Sequence, residues 1–226
     1  MSLILSIETS SKNCSVSLSK DGILLDTIEE NRESFTHAEN LHIFCEKIIK
    51  KAKLSFSKID AYAFSEGPGS YTGLRIGAAA IKGFAFCFEK PVVLISTLKA
   101  MAYLHKKKNT LLCPLIDSRR GEVYMALYDF NMKVLAPPQP HIVSKNSFLE
   151  FLENHKISFF GPGCDKIRQV VNHRNANFIS NISPSSKNLI ELAHFKYVQK
   201  DFTDISNFEP LYLKNFIPTK QKKNII

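Results

Sequence analysis

Two stretches of the sequence, 109 residues apart, repeat the same order of strand, acid, turn and strand. When residues 4–19 are set over residues 113–128, Glu8 falls on Asp117 and Leu18 falls on Leu127. Few identities accompany this alignment, so the argument for a duplication rests on the order of the elements. Two copies of a β-β-β-α-β-α unit would give an α/β protein of two lobes, each a mixed sheet flanked by helices.

The boundary between the lobes is expected near residues 106–109, where the polarity of the chain peaks. We therefore predict an N-terminal lobe at residues 1–107, which bears the partner-binding helices described below. A C-terminal lobe is predicted at residues 108–226, with a basic tail that packs either on its own lobe or back on the N-terminal one.

Alternation and helical periodicity predict the elements of both lobes. Strands are expected at 3–7, 14–19, 23–28, 60–65, 92–95, 111–116, 122–128, from 134 to the proline-rich stretch 137–140, and at 157–160. Helices are expected at about 36–52, 70–88, 144–154, 164–171 and 185–199, and residues 209–226 read as irregular. Thr36 stands three residues before Glu39, the spacing of a capping box.

Composition excludes several classes of protein. The chain has 226 residues, of which 44% are hydrophobic, and no apolar run approaches the ~18 residues of a membrane span. Its apolar opening stops at Glu8, too early for a secretory signal. The five cysteines are odd in number and form no CxxC pair. We expect a cytoplasmic protein with reduced thiols and no membrane contact.

The formal net charge of +9 is local rather than uniform. The tail after Glu209 carries Lys214, Lys220, Lys222 and Lys223, and residues 106–108 are three consecutive lysines. A solvated tail and linker explain this pattern, and so does contact with RNA or with an acidic partner. Charge alone therefore does not identify the function.

A glycine loop precedes the longest predicted helix. The motif residues in it are Gly67, Pro68, Gly69, Ser70, Thr72 and Arg75. The glycines permit unusual torsions or close backbone approach, and Ser70 or Thr72 is able to cap the helix. Unpaired amides at a helix start also bind anions, although this loop matches neither a Walker motif nor GxGxxG. A tight structural turn and a phosphate site are both open readings.

The helix after this loop has only two charged residues between Gly73 and Phe88, Arg75 and Lys82. Internal glycines cost a helix roughly 1 kcal/mol each relative to alanine, so they need a packing reason. With the preceding helix beside it, this helix is predicted to form a partner interface. A wholly internal helix is the alternative. The predicted interface residues are Leu41, Phe44, Cys45, Ile48, Gly73, Gly77, Ala80, Ile81 and Phe84.

No HxxxH, HExxH or other metal-ligand spacing occurs in the sequence, and no GxSxG elbow occurs either. These spacings therefore indicate no metal site and no catalytic residue, although spacing alone does not exclude a Ser-His-Asp triad, because triads assemble in space. Glu8 and Asp117 end equivalent strands and are weak candidates for nucleotide or Mg²⁺ binding. The turns after them lack the glycines that let backbone amides wrap a triphosphate, so capping of local turns is the other reading.

Several blocks together resemble the TsaB (YeaZ) family, subunits of the bacterial machinery that makes threonylcarbamoyladenosine in tRNA. They are residues 4–10, 67–77, 96–98, 116–119, 121–124 and 209–213, which read ILSIETS, GPGSYTGLRIG, STL, IDSR, GEVY and EPLYL. The resemblance covers nearly the whole chain. Family members often have Asp where Glu8 stands, which weakens any metal role there.

The resemblance implies an actin-like, two-lobed fold of the hexokinase and Hsp70 class and no catalysis by this chain alone. It implies a non-catalytic partner that binds TsaD, the paralogue that carries the metal and transfers threonylcarbamoyl to adenosine 37 of tRNA. The two helices would form a heterodimer with TsaD or, without it, a homodimer, and the ATPase TsaE would join them. No cofactor is expected on this chain, ATP and metal belonging to its partners, and tRNA contact would come through the complex.

Two other functions remain possible from the sequence. An actin-like phosphotransferase would bind Mg-ATP tightly as an isolated chain. A glycoprotease-like metallopeptidase would hold stoichiometric zinc, which fits poorly with the lack of zinc-ligand spacing.

Overall fold

The first half of the chain folds around one five-stranded sheet in the computed structural model, which describes residues 1–31, 36–118 and 120–214. Its elements are β1 (Leu3–Glu8), β2 (Asn13–Lys20), β3 (Ile23–Asn31), α1 (His37–Lys51), a 3-10 turn (Phe56–Lys58), β4 (Ala61–Gly67), α2 (Tyr71–Phe88), β5 (Val92–Ser96) and α3 (Thr97–Leu104). The strand order is β3-β2-β1-β4-β5. Because β1 pairs antiparallel with β2 and parallel with β4, the sheet is mixed.

The second half builds another five-stranded sheet and then returns to the first. Its elements are β6 (Leu111–Asp117), β7 (Glu122–Tyr128), β8 (Val134–Ile142), α4 (Leu149–Leu152), β9 (Ile157–Phe160), α5 (Cys164–Arg168), β10 (Ala176–Ile179), a 3-10 turn (Ser186–Leu189) and α6 (Ile190–Val198). The strand order is β8-β7-β6-β9-β10, again with one antiparallel and one parallel neighbour for the central strand β6.

The predicted duplication is confirmed, because both sheets have the same strand order and the same pairing senses. The fold is the α/β architecture that the sequence predicts, with two mixed sheets flanked by helices. The central strands end at Glu8 and Asp117 as expected. Glu8 pairs with Ser15, whereas Asp117 pairs with Val123. The second turn is therefore one residue shorter, and the 109-residue offset becomes 108 in the next strand.

Both faces of the first sheet are buried. The stripe of α1 that repeats every three to four residues packs with α2 against one face, which includes Leu5 and Ile7 of β1. The opposite face, which includes Ile4, is covered by Leu189 and Ala193 from the end of the chain. A central strand buried on both faces reads as a nearly continuous apolar run, which β1 does from Leu3 to Ile7 except at Ser6.

Helix α3, which the sequence analysis missed, lies between the two sheets. Its Ala100 packs with the first sheet, while Leu98 and Met101 pack with the second. Ser96 caps α3, since its Oγ accepts a hydrogen bond from the Lys99 amide at 3.5 Å. Eight residues are too few to show a convincing helical period, which explains the omission.

Residues 186–211 return to the first sheet although they follow the second in sequence. The Ser186 hydroxyl lies 2.6 Å from the Ser15 hydroxyl, Thr203 forms a bridge with Val92, and the Leu211 amide donates to the Glu66 carbonyl at 2.7 Å. Lys214 then pairs with Glu122 of the second lobe. The basic residues beyond Lys214 lie outside the described residues.

The prediction that residues 137–140 end a strand is wrong, because β8 runs through all three prolines to Ile142. Since β8 is an edge strand, it pairs only with β7, and amides on its other side have no ladder partner to lose. The predicted helices at 144–154 and 164–171 shrink to α4 and α5, and β10 was not foreseen. Thr36 begins α1 without a side-chain cap, so the capping box does not form.

Among residues 1–31, 36–118 and 120–214, none of the helices has the length and apolar character needed to cross a bilayer. Cys14, Cys45, Cys113 and Cys164 are buried free thiols, and Cys87 is exposed. Burial and nearby carboxylates raise the pKa of the Cys14 thiol to about 12, so this thiol stays protonated at neutral pH.

The return of the chain to the first sheet predicts that residues 1–107 do not fold alone. Removing Leu189 and Ala193 uncovers the apolar face that includes Ile4 and Ile95. We expect this fragment to lack a cooperative unfolding transition in urea, measured by circular dichroism. The same fragment joined to residues 185–214 by a flexible linker is the control and regains the transition. Cooperative unfolding of 1–107 alone would contradict the prediction.

Candidate functional site

The loop before α2 is a tight turn held by the rest of the first lobe. The Gly67–Pro68 bond is cis, and Gly67 has a φ of 113°, which favours glycine. The Ser70 amide donates to the Ser10 carbonyl at 2.6 Å, which ties this loop to the turn between β1 and β2. Ser70, not the exposed Thr72, caps α2, its Oγ accepting from the Gly73 amide at 3.3 Å.

Three glycines at four-residue spacing let α2 lie directly on the β1–β2 turn. A Cβ on Gly69 would come closer than 3.0 Å to Ser10, one on Gly73 would meet the Thr9 carbonyl, and one on Gly77 would meet Thr9 and the Phe64 ring. These are the packing reasons that glycines inside a helix require. The glycines at positions 73 and 77 are therefore explained by packing within the lobe and not by a partner interface.

The same contact favours the structural reading of the glycine loop over the phosphate reading. A phosphate site at a helix start needs amides that are free to point at the ligand. Here the Ser70 and Gly73 amides are bonded to Ser10 and to the Ser70 side chain, and the Leu74 amide bonds the Ser70 carbonyl. The helix start thus closes on the chain's own turn.

Glu8 lies beneath this turn and is 1% exposed. Its carboxylate accepts from the Ser10 amide at 2.5 Å. Burial raises the pKa of Glu8 above its ordinary value, partly offset by hydrogen bonds from Ser10 and Ser65. The Ser65 hydroxyl in turn lies 2.6 Å from the Thr97 hydroxyl. Glu8 therefore belongs to a buried cluster of polar side chains.

Asp117 has a different environment from its counterpart Glu8. Its side chain is 49% exposed, and its carboxylate pairs with the Lys166 ammonium at 2.7 Å. A Mg²⁺ site needs several oxygen ligands facing one point. One carboxylate is buried under its own turn and the other is bound to a lysine, so the pair does not fit a shared Mg²⁺ site as the chain is folded.

His37, at the start of α1, is a residue of this site that sequence reasoning missed. Its Nε2 donates to the Ser11 carbonyl at 2.8 Å, and its ring is next to Gly73. Burial lowers its pKa. The β1–β2 turn is therefore held by two helices, by α1 through His37 and by α2 through the glycines. A lone histidine in an amphipathic pattern carries no signal that would have revealed this contact.

The residues predicted as the partner interface lie mostly inside the lobe. Leu41, Phe44, Cys45, Ile48, Gly73, Gly77, Ala80 and Ile81 are buried, and Phe84 is half-buried. They face the sheet because an apolar stripe packs on the largest apolar surface available. Phe84 stacks on Phe56 and Tyr62 with ring centres 5.1 and 5.6 Å apart. The buried residues of this set therefore do not offer direct contacts to a partner, which corrects the sequence analysis.

The outward face of the two helices carries other residues, which we call the outer strip: Ile43, Thr72, Ala79, Gly83 and Phe86. Phe86 is 80% exposed, and a Cβ added to Gly83 would meet nothing within 4 Å. An exposed phenylalanine beside small residues forms a shallow apolar surface on which another helix can lie closely. That α1 and α2 contact a partner stays a prediction, but the residues that they offer to a partner are those of the outer strip.

A hollow of about 300 Å³ adjoins this strip and includes the last motif residue, Arg75. The Arg75 guanidinium is 4.8 Å from the centre of the Tyr71 ring, which contacts Tyr212 at 4.9 Å. Lys82 lies over Phe208 at 5.6 Å. The motif residue Arg75 is therefore exposed next to the returning segment and does not point into the β1–β2 turn.

Fold and site together define an α/β protein of two duplicated sheet units, in which the chain's own helix α2 packs on the turn after the first strand. A family model described as TsaD, tRNA N6-adenosine threonylcarbamoyltransferase, matches residues 31–215. The chain therefore belongs to this family, and within it to the TsaB (YeaZ) branch.

Similar proteins support this placement. The tRNA threonylcarbamoyladenosine biosynthesis protein TsaB of Haemophilus influenzae is 29% identical and covers 96% of both chains. TsaB of Escherichia coli is 37% identical over 55% of this chain and 54% of its own. The solved structure of YeaZ from Pseudomonas aeruginosa has a TM-score of 0.82 and 25% identity, covering 94% of this chain and all of that one.

Gly77 and Gly83 make a matched pair for testing the close contact. Gly77→Ala introduces a methyl group against Thr9 and Phe64, and we expect it to lower the free energy of unfolding by about 1–3 kcal/mol. Gly83→Ala meets open space and is expected to raise that free energy by about 0.5–1 kcal/mol. Urea unfolding of both variants measures the difference. Equal effects of the two substitutions would refute the contact.

The buried carboxyl of Glu8 predicts a pH-dependent stability. Because its pKa is raised on folding, its contribution is greatest below the unfolded pKa and is lost as pH rises through the folded pKa. Glu8→Gln keeps an oxygen for the Ser10 amide and removes the charge. We expect the stability of this variant relative to the parent to increase from pH 5 to pH 8 in urea titrations.

Glu46→Gln is the control for this effect. Glu46 is exposed and its pKa is lowered by Lys50, so its contribution to stability is lost only below its unfolded pKa, and its substitution is expected to leave relative stability unchanged from pH 5 to pH 8. The same pH profile for both variants would remove Glu8 as the cause.

Proposed function

We propose that this chain is a non-catalytic subunit that binds and supports TsaD in threonylcarbamoyl transfer to adenosine 37 of tRNA. The observation that carries the proposal is full-length similarity to TsaB, a protein named for tRNA threonylcarbamoyladenosine biosynthesis, together with membership of the TsaD family. This chain is related to the transferase, but its own helix α2 packs on the turn after β1. It is therefore suited to bind the transferase and not to carry out the transfer itself.

The closed turn supports the absence of catalysis by this chain. Glu8 is buried and bonded to Ser10, and Asp117 is paired with Lys166. Among residues 1–31, 36–118 and 120–214, no three histidine, cysteine or acidic side chains gather as metal ligands would. We accordingly assign ATP and the metal to the partner subunits, TsaD and the ATPase TsaE, and assign no cofactor to this chain.

The outer strip is the proposed docking surface for TsaD. Related folds present equivalent helices, so a pair of them can meet about a pseudo-twofold axis, with α1 and α2 packing on their counterparts. In the absence of TsaD, a second copy of this chain offers the same surface, which gives a homodimer. The small residues Ala79 and Gly83 allow close helix approach, and Phe86 supplies an apolar anchor.

Reconstitution tests the role. Purified chain, tRNA, ATP and a threonylcarbamoyl donor are incubated with and without TsaD and TsaE, and modified adenosine is quantified by mass spectrometry of the digested tRNA. We expect no modification by the chain alone and a strong increase when it is added to TsaD and TsaE. Modification by the chain alone would make it an enzyme and end the proposal.

Phe86→Glu is the sharpest test of the outer strip. A charge placed at the centre of an apolar interface is desolvated without a partner, so we expect affinity for TsaD to fall at least about 100-fold by calorimetric titration. Ile142→Glu is the matched control, since Ile142 is 73% exposed on edge strand β8. Equal affinities of both variants and the parent would place the interface elsewhere.

A further inference from the structure

Four loops meet at one end of the second sheet. The strand register places Val134, Tyr128, Leu112, Ser158 and Asn177 in one row across β8, β7, β6, β9 and β10. The loops just outside this row are 105–110, 129–133, 153–156 and 172–175. Adjacent strands lie about 4.8 Å apart, so the row extends over about 19 Å.

These loops carry six exposed cations from separate parts of the sequence: Lys106, Lys107, Lys108, Lys133, Lys156 and Arg174. The same loops contain two carboxylates, Asp129 and Glu153. The Asp129 carboxylate caps its own turn, because it accepts hydrogen bonds from the Asn131 and Lys133 amides at 2.9 and 2.8 Å. The end of the sheet is therefore strongly positive, and we call it the basic end.

The cations of the basic end have no carboxylate partners within residues 1–31, 36–118 and 120–214. Their loops are nevertheless fixed to the sheet. The Leu111 amide donates to the Lys156 carbonyl at 2.8 Å, and the Ile157 amide donates to the Asn175 carbonyl at 2.9 Å. The Lys106 ammonium lies 3.7 Å from the centre of the Tyr103 ring, a contact that leaves its charge in place. Positive charges that no internal carboxylate neutralises attract an external anion.

We propose that the basic end binds the phosphate backbone of RNA. A row of cations about 19 Å long matches a polymer whose negative charge repeats regularly along its length. Phe130, in the 129–133 loop, is 38% exposed and provides a ring on which an unpaired base can stack. The identification of the RNA as tRNA rests on the proposed function. The inference that this surface binds RNA rests on the arrangement of charges and is independent of that function.

The surface contains one of the two sources of positive charge that are visible in the sequence, the run at 106–108, and adds cations that the sequence does not group with it. Only Lys106–Lys108 form a run, whereas Lys133, Lys156 and Arg174 are isolated in sequence and are brought beside that run by strand pairing. It also belongs to the second lobe, whereas the outer strip lies on helices of the first. RNA binding and docking of TsaD therefore use separate surfaces.

The test removes only the cations that tertiary structure contributes. The full chain with Lys133→Gln, Lys156→Gln and Arg174→Gln is compared with a chain carrying Lys20→Gln, Lys58→Gln and Lys145→Gln, three exposed lysines outside the basic end. Binding of unmodified tRNA is measured by fluorescence anisotropy between about 0.05 and 0.2 M salt. We expect the basic-end variant to lose affinity about 10- to 100-fold and to lower the salt slope by about 2–3, with little change in the control.

Four results would overturn the proposal. They are no tRNA binding by the parent chain, equal losses in both variants, competition by polyglutamate as strong per charge as that by tRNA, and loss of binding on truncation after Lys214 while the basic-end variant binds normally. Affinity for TsaD is measured on the same proteins. The proposed function predicts it unchanged, so a failure of RNA binding and a failure of the partner role are seen separately.

Discussion

The contact between α2 and the β1–β2 turn governs the first lobe. Gly69, Gly73 and Gly77 bring the helix backbone against Thr9 and Ser10 with no room for a side chain. Because the helix lies so close to the turn, Glu8 is buried and the Ser70, Gly73 and Leu74 amides are bonded within the chain. His37 of α1 bonds the same turn. A helix start that could offer backbone amides to an anion is thus used for packing within the lobe.

The same close contact decides which face of α2 remains for a partner. The bulky and small residues that read as an interface in the sequence serve largely to hold the helix on its own sheet. What remains outside is Phe86 and the small surface around Ala79 and Gly83. Packing within the lobe explains Gly73 and Gly77 but not Gly83, because a side chain at Gly83 would meet no other atom of the lobe. Substitution of Gly83 therefore separates the effects of a subunit contact from those of internal packing.

The lobes are less independent than the duplicated sequence indicates. Helix α3 packs on both sheets, and residues 186–211 return to cover the first after the second is complete. Closing such a long connection costs conformational entropy, and the apolar face with Ile4 and the bonds from Ser186 to Ser15 offset this cost.

The amino-acid sequence alone specified the two repeated units, the strands from β1 to β7, and the helices α1 and α2, because alternation and helical period are local properties. It also marked the glycine loop and the acids that end β1 and β6. Tertiary structure decided the rest: that β8 tolerates prolines because it is an edge strand, that Gly73 and Gly77 face inward, and that Lys133, Lys156 and Arg174 join one charged end. These depend on which strands become neighbours and which face a helix buries, and contacts between residues distant in sequence leave no periodic signal along the chain.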